Sequence, residues 1–336
     1  MQNPSKIKHF KTKMGQFFTK KHSWLHKHIV DFIINSDKPI LYDPFAGNGD
    51  LFDALSFLNK EIVGLDIDPT LGWKINDSLK EIPKIKDAII ITNPPYVAKN
   101  SATRKQLGLD KYFENSIYED TYLIALEKML EASDYVVAIV PESFIHSNFK
   151  QFNKLVSITI IEDNPFLDTE NPVCVVCFDN KEKEYSQIKI YKNNKYINNL
   201  KKIFSFNLEY KKTQIIKFNS LNTWLALKCI DGTIPGSEIK FDLKENFDYD
   251  WQKNLKHSSR HFTLIELKNI DFTLEMKHKF IQECNNLVNL IRKQSDDILL
   301  SPFKGNNKEG KRRRRRITFA LARAIIERVY EEQFKK

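Results

Sequence analysis

The stretch that most constrains the fold is Thr92-Asn93-Pro94-Pro95-Tyr96, which follows the apolar run Ala88-Ile89-Ile90-Ile91. Small and β-branched apolar residues closed by a polar pair and two prolines predict a buried strand that stops abruptly, because proline cannot donate to a ladder. Asn93 then stands at the carboxyl end of that strand. In open α/β sheets ligands bind outside the carboxyl ends of the strands, so the Asn93 amide and the Tyr96 ring are expected to face a cleft. Taken alone, the motif is explained equally well as a strand running into a Pro-Pro turn.

The sequence upstream shifts that balance. Gly15-Gln16-Phe17-Phe18-Thr19 precedes an amphipathic helix expected over 24–34. Ile40-Leu41-Tyr42 reads as a short buried strand ending in Asp43-Pro44-Phe45-Ala46-Gly47-Asn48-Gly49-Asp50. Glycine at 47 and 49 permits a tight turn and close approach of a ligand to bare backbone. A helix is expected from Leu51 to Leu58, with Asp50 as its N-cap. A second strand, Ile62-Val63-Gly64-Leu65, ends in Asp66. The gap from the glycine turn to this acid suits a βαβ nucleoside site, where a carboxylate at the second strand's end accepts from ribose hydroxyls. Asp77 falls where the entry loop of a third strand is expected.

Downstream, 97–120 is polar and reads as a loop, either a lid or ligand contact carrying Lys99, Arg104 and Lys105 or a solvated connection. A helix over 122–130 and buried strands over 135–141, 156–161 and 173–178 complete an alternation that predicts a mostly parallel, doubly wound sheet. Beyond Asp179 Lys, Asn and aromatic residues dominate, and a domain boundary is expected between 185 and 186.

Charge divides the same way. Residues 1–180 hold 20 Lys and Arg against 24 Asp and Glu, and residues 181–336 hold 33 against 19, so all of the net charge of +10 belongs to the second half. That points to a polyanion gripped mainly by the second half. Arg312, Arg313, Arg314, Arg315 and Arg316 precede a helical pattern over 317–334, and arginines at a helix N-terminus oppose the macrodipole. Phosphate contact therefore explains them better than helix stability does. Cys174 and Cys177 lie three apart on a β-like run and so point to opposite faces, which excludes joint chelation of one metal. No apolar run is long enough to span a bilayer, and an intracellular, cytoplasmic protein without a disulfide framework or a metal is expected.

Gly15 to Thr19, Asp43 to Gly49, Asp66, Asp77 and Asn93 to Tyr96, in that order, resemble the motif series of the adenine-N6 DNA methyltransferases, and more narrowly their gamma class. The resemblance covers about the first 180 residues. It implies a Rossmann-like S-adenosylmethionine-dependent methyltransferase domain with a doubly wound seven-stranded sheet over 1–185, and a basic α+β target-recognition domain over 186–336. It implies donor contacts from Phe18, Thr19, Asp43, Phe45, Gly47, Gly49, Asp66 and Asp77, with Asp66 on the ribose hydroxyls and Asp77 on the adenine amine. Catalysis would fall to Asn93, Pro94, Pro95 and Tyr96. Tyr96 and Phe166 would stack a flipped adenine, although core packing explains Phe166 as well. In the family, proline often follows the position of Thr19; here it is Lys20.

The resemblance further implies methyl transfer to a flipped adenine of double-stranded DNA, without a metal, by a monomeric modification enzyme of a restriction-modification system, with or without a cognate endonuclease. Residue chemistry agrees: an asparagine oxygen and a backbone carbonyl can both accept from the two N–H bonds of an exocyclic amine. Three rivals use some of the same residues. An RNA or protein-glutamine methyltransferase would also use the NPPY motif, but the extra basic mass after it favours nucleic acid. A catalytically silent DNA-binding subunit would not need Asn93, Tyr96, Asp43 and Asp66. A nicotinamide dehydrogenase would explain the glycine turn alone.

Overall fold

The run Ala88–Ile91 does form a buried strand at the centre of the molecule's largest sheet. The computed structural model describes residues 23–163, 165–166, 171–211, 215–255, 261–306 and 313–335; Phe18, Thr19 and Arg312 lie outside them. The chain divides after Leu200 into two compact units.

In the first unit, α1 (Lys27–Asn35) leads to β1 (Ile40–Asp43), α2 (Asp50–Leu55), β2 (Glu61–Asp66), β3 (Lys74–Ile75) and β4 (Ala88–Thr92). Then follow α3 (Lys99–Arg104), α4 (Asp110–Phe113), α5 (Thr121–Ala132), β5 (Val136–Pro141), β6 (Leu155–Ile161), β7 (Val173–Phe178), β8 (Lys189–Lys192) and β9 (Lys195–Asn199). The strands form one sheet of order β3-β2-β1-β4-β5-β7-β6-β8-β9. β3, β2, β1, β4 and β5 run parallel, and β7 lies antiparallel between β5 and β6. This is a doubly wound, Rossmann-like sheet, extended by the β8–β9 hairpin to nine strands rather than the seven expected. The sheet therefore continues past residue 185.

The order reverses between β1 and β4, and the crevice of a doubly wound sheet opens at such a switch point. One sheet face is sealed by α1: Ile29 and Ile33 pack with Leu41, Ile89, Ile91, Val137, Val175 and Cys177, all buried. Alternation sends Cys174 to the other face, with its thiol 3.8 Å from the Pro141 carbonyl. Both cysteines are free and buried, and burial pushes Cys174 far above its usual range and Cys177 up to about 12.

Two local expectations fail for identifiable reasons. Gly49, not Asp50, precedes α2; its φ of +84° is the left-handed conformation that glycine adopts without strain. The polar segment 97–120 is not a plain loop, since α3 and α4 lie within it. Its ends are clamped: the Val97 N–H donates to the Thr121 hydroxyl at 2.9 Å, and the Lys99 N–H to the Glu119 carbonyl at 2.8 Å.

In the second unit, β10 (Ile216–Phe218), β11 (Leu225–Lys228), β12 (Lys240–Leu243) and β13 (Phe262–Leu267) form an antiparallel sheet of order β10-β13-β11-β12. α6 (Leu274–Gln294), the ribbon β14 (Ser301–Asn306) and β15 (Arg313–Arg316), and α7 (Phe319–Gln333) complete it. The arginine run is thus a strand, not a helix N-terminus; α7 starts later, capped by the Thr318 hydroxyl. Strand alternation buries Arg313 and Arg315, at 6% and 2% exposure, and leaves Arg314 and Arg316 half-exposed. No described helix is long and apolar enough to cross a membrane.

Candidate active site

The carboxyl ends of β1, β2 and β4 gather most of the residues that the motifs single out. Asp43 ends β1 almost fully buried; its Oδ1 accepts the Phe45 N–H at 2.9 Å and the Thr92 hydroxyl at 2.5 Å. Burial pushes its carboxyl up to about 7 against the pull of those two hydrogen bonds, and the Asp66 charge adds to the rise. Thr92 thereby ties the end of β4 to the end of β1, one residue before Asn93.

The glycine turn is held from both sides. The Gly47 N–H donates to Asp66 Oδ2 at 2.9 Å, and the Gly47 carbonyl accepts from the Trp73 indole N–H at 2.8 Å. Asp66 Oδ1 accepts the Asp68 N–H at 2.9 Å. The Trp73 ring lies along β2, where a Cβ at Gly64 would stand 2.4 Å from it, and a Cβ at Gly49 would stand 3.4 Å away. Only a strand lacking a side chain at 64 leaves room for that ring.

A cleft opens beside this turn, lined among others by Phe45, Asp66, Ile67, Asp77, Pro95 and Tyr112. Two carboxylates together with apolar side chains in one lining suit a nucleoside, whose ribose hydroxyls and exocyclic amine donate while its base seeks apolar contact. Asp77 sits just after β3 rather than before a third strand, and its Oδ2 accepts the Tyr112 hydroxyl at 2.7 Å.

Asn93 and Tyr96 follow β4, both half-buried. The Tyr96 hydroxyl donates to the Ile139 carbonyl at 2.7 Å and also meets Asn93 Oδ1. A phenol has one proton, so these two oxygens share it; burial holds that phenol well above its ordinary range. Pro94 is buried, and the Pro95 carbonyl accepts the Thr121 hydroxyl at 2.6 Å. Thr121 thus fixes the Pro95–Val97 backbone from the start of α5.

Phe166 stands near Tyr96, with ring centroids 6.4 Å apart at 63°, but it is 1% exposed and packs in the core. A ring so placed presents no face to a base until something moves. Lys99, Arg104 and Lys105 are exposed on and just after α3. In the second unit the Arg292 guanidinium grips Asp231 with two bonds of 2.8 Å and Asp297 with bonds of 2.7 and 3.3 Å, all three side chains being buried. The Arg315 N–H donates to Asp231 Oδ2 at 3.0 Å, and Arg314 Nε to the Asp231 carbonyl at 2.8 Å. Arg313 and Arg315 are therefore too buried to reach a phosphate as the sequence suggested, while Arg314 and Arg316 keep exposed surface.

Sequence reasoning passed over Thr92, Trp73, Tyr112 and Thr121. Thr92 carried a signal, since it adjoins the motif in sequence, whereas Thr121 carried none, its partners lying 24 and 26 residues away. Trp73 and Tyr112 carried none, because their partners lie 26 and 35 residues away.

Comparison with known proteins bears on the first unit. No curated protein sequence matches the chain significantly. Among solved structures, the methyltransferase subunit of a type I restriction-modification system from Streptococcus thermophilus is similar at 17% identity and TM-score 0.38, over 55% of this chain and 49% of that one. A TehB-like S-adenosylmethionine-dependent methyltransferase from Corynebacterium glutamicum matches at 15% identity and TM-score 0.30, over 53% of this chain and 96% of that one. The chain spans 63%, 50% and 49% of the first three structures it matches. Residues 56–166, which hold Asp66, Asp77, Asn93, Tyr96 and Phe166, match the Eco57I restriction-modification methylase family, so over that span the chain is similar to the modification enzymes whose motif series it carries.

Proposed function

We propose that the chain transfers a methyl group from S-adenosylmethionine to the N6 amino group of an adenine flipped out of duplex DNA, as the modification enzyme of a restriction-modification system. The observation that carries this reading is Asn93-Pro94-Pro95-Tyr96 at the carboxyl end of β4, next to a cleft whose lining includes Asp66, Asp77 and Pro95 itself.

When bound, the donor supplies an electrophilic methyl on a sulfonium. Asp66 accepts from the ribose hydroxyls, and its own orientation is fixed by the Gly47 and Asp68 N–H groups. Asp77 accepts from the donor's adenine amine. The acceptor amine is a poor nucleophile because its lone pair is delocalised into the ring. Asn93 Oδ1 and the Pro94 carbonyl accept its two N–H bonds, which favours a tetrahedral nitrogen and aims the lone pair. A half-turn of the Asn93 carboxamide sets its NH2 on the Tyr96 oxygen and releases Oδ1 to the incoming amine, while the Tyr96 proton stays on Ile139. Tyr96 offers a π-face to the flipped base.

The half-exposed Arg314 and Arg316 of the second unit fit phosphate contacts that position the duplex. Incubation with labelled S-adenosylmethionine and genomic DNA, followed by nucleoside analysis, tests the proposal. N6-methyladenine in the DNA supports it, and label in RNA or protein alone defeats it.

A further inference from the structure

The segment between Asn93 and α5 does more than connect. It is closed at its base by Thr121, which takes the Val97 N–H and gives its own proton to the Pro95 carbonyl. Within it, the Thr103 hydroxyl donates to the Asp110 carboxylate at 3.2 Å and so links α3 to α4. α4 in turn carries Tyr112 to the cleft, where it lines the wall with Leu109 and Pro95.

Tyr112 donates its hydroxyl proton to Asp77 Oδ2 at 2.7 Å, and the Lys111 ammonium stands 3.6 Å from the same oxygen. Both partners are on Oδ2; Oδ1 takes no hydrogen bond from any described residue. The carboxylate is thereby clamped at one edge and kept as a pure acceptor at the other. Asp77 lines the cleft with 27% of its side chain exposed, so the second edge is reachable from it.

We propose that Tyr112 is a specificity-determining residue of the donor pocket: by fixing Asp77 it makes the pocket take a purine bearing an exocyclic amine and reject a 6-oxopurine. The inference rests on the S-adenosylmethionine reading of the cleft. An amine donates to the fixed acceptor edge, whereas a carbonyl in the same place sets oxygen against oxygen. Discrimination of this kind is large only where the protein's polar group cannot turn away. The Tyr112 hydroxyl holds Asp77 with a directed bond of 2.7 Å, whereas the Lys111 ammonium, 3.6 Å away and largely exposed, restrains it less.

The test is calorimetric titration of the full chain with S-adenosylhomocysteine and with S-inosylhomocysteine, its 6-oxo counterpart, for the wild type, Tyr112→Phe and Asp77→Asn. The wild type is expected to prefer the adenosyl ligand, and Tyr112→Phe to lower the ratio of the two affinities about tenfold, by weakening the adenosyl ligand and relieving the rejection of the inosyl one. Asp77→Asn, whose amide leaves an N–H donor facing the ligand when its oxygen takes the Tyr112 proton, should lower the ratio at least as far. A Tyr112 that merely tethers the segment would weaken both ligands equally and leave the ratio unchanged, which overturns the proposal. A wild type that binds neither ligand overturns the donor reading itself, a different result from an unchanged ratio.

Discussion

The indole N–H of Trp73 donates to the carbonyl of Gly47 across 2.8 Å, while the N–H of the same glycine is held by Asp66. Both peptide planes beside Gly47 are thus pinned by side chains that arrive from β2 and from the segment just after it.

Trp73→Phe keeps an aromatic ring over Gly64 and removes only the donor to Gly47. A hydrogen bond of this kind is worth about 1 kcal/mol, so donor affinity is expected to fall about fivefold, with turnover at saturating donor nearly unchanged. Gly64→Ala should be worse for the fold, because its Cβ would meet the ring at 2.4 Å and a large ring has nowhere to yield; a loss of about 1–3 kcal/mol in chemical unfolding is expected.

Asn93→Ala should abolish methyl transfer to DNA and leave S-adenosylhomocysteine binding within about twofold by calorimetry. Loss of both together would assign Asn93 to the scaffold.

The arginine strand separates two roles that a count of charges merges. Arg314→Gln with Arg316→Gln should weaken DNA binding and flatten the plot of log affinity against log salt by about one unit for each phosphate that is no longer neutralised. Arg292→Ala should act on stability instead, by about 3–5 kcal/mol, because it strands Asp231 and Asp297 where water does not reach them. An identical salt slope in the double variant would refute phosphate contact.

Asp43 makes a pH prediction with a definite sign. Its folded value of about 7 lies above the ordinary 3.8, so between those values the folded state holds more protons than the unfolded one, and stability falls as pH rises. The loss sets in above pH 4 and is complete once pH passes about 7. Between pH 5 and 8 the wild type should lose on the order of 2 kcal/mol more than Asp43→Asn, by denaturant unfolding. Equal slopes for the two proteins would mean that Asp43 is ionised at little cost.

Phe166→Ala tests whether that ring does more than pack. Removal of a buried phenylalanine should cost about 3–5 kcal/mol. Reduced fluorescence of 2-aminopurine at the target position, in protein that remains folded, would show that the ring also reaches the extruded base.

Much of the first unit was legible because its signals are local. The run 88–92 is a strand by composition and ends by proline chemistry, and Asp43, Gly47, Asp66 and Asn93 each close a strand or open a turn. The arginine run misled for a physical reason. A block of like charges looks solvated, yet on a strand every second side chain turns inward, and a buried aspartate received the Arg315 backbone there. Segment 97–120 looked structureless because its helices are short and polar. Phe166 could not be resolved by sequence, since a stacking ring and a core ring are written with the same letter.

Thr92 and Asn93 are consecutive residues, and the first is bonded to the acid that ends β1 while the second begins the reactive tip. Consecutive Cα atoms are about 3.8 Å apart whatever else the chain does, so the spacing between the end of β1 and the tip after β4 is ruled by a single peptide unit. Insertions elsewhere in the chain leave that spacing untouched, so loops around the site are at liberty to vary while the Asp43 end of β1 and the Asn93 end of β4 keep their distance.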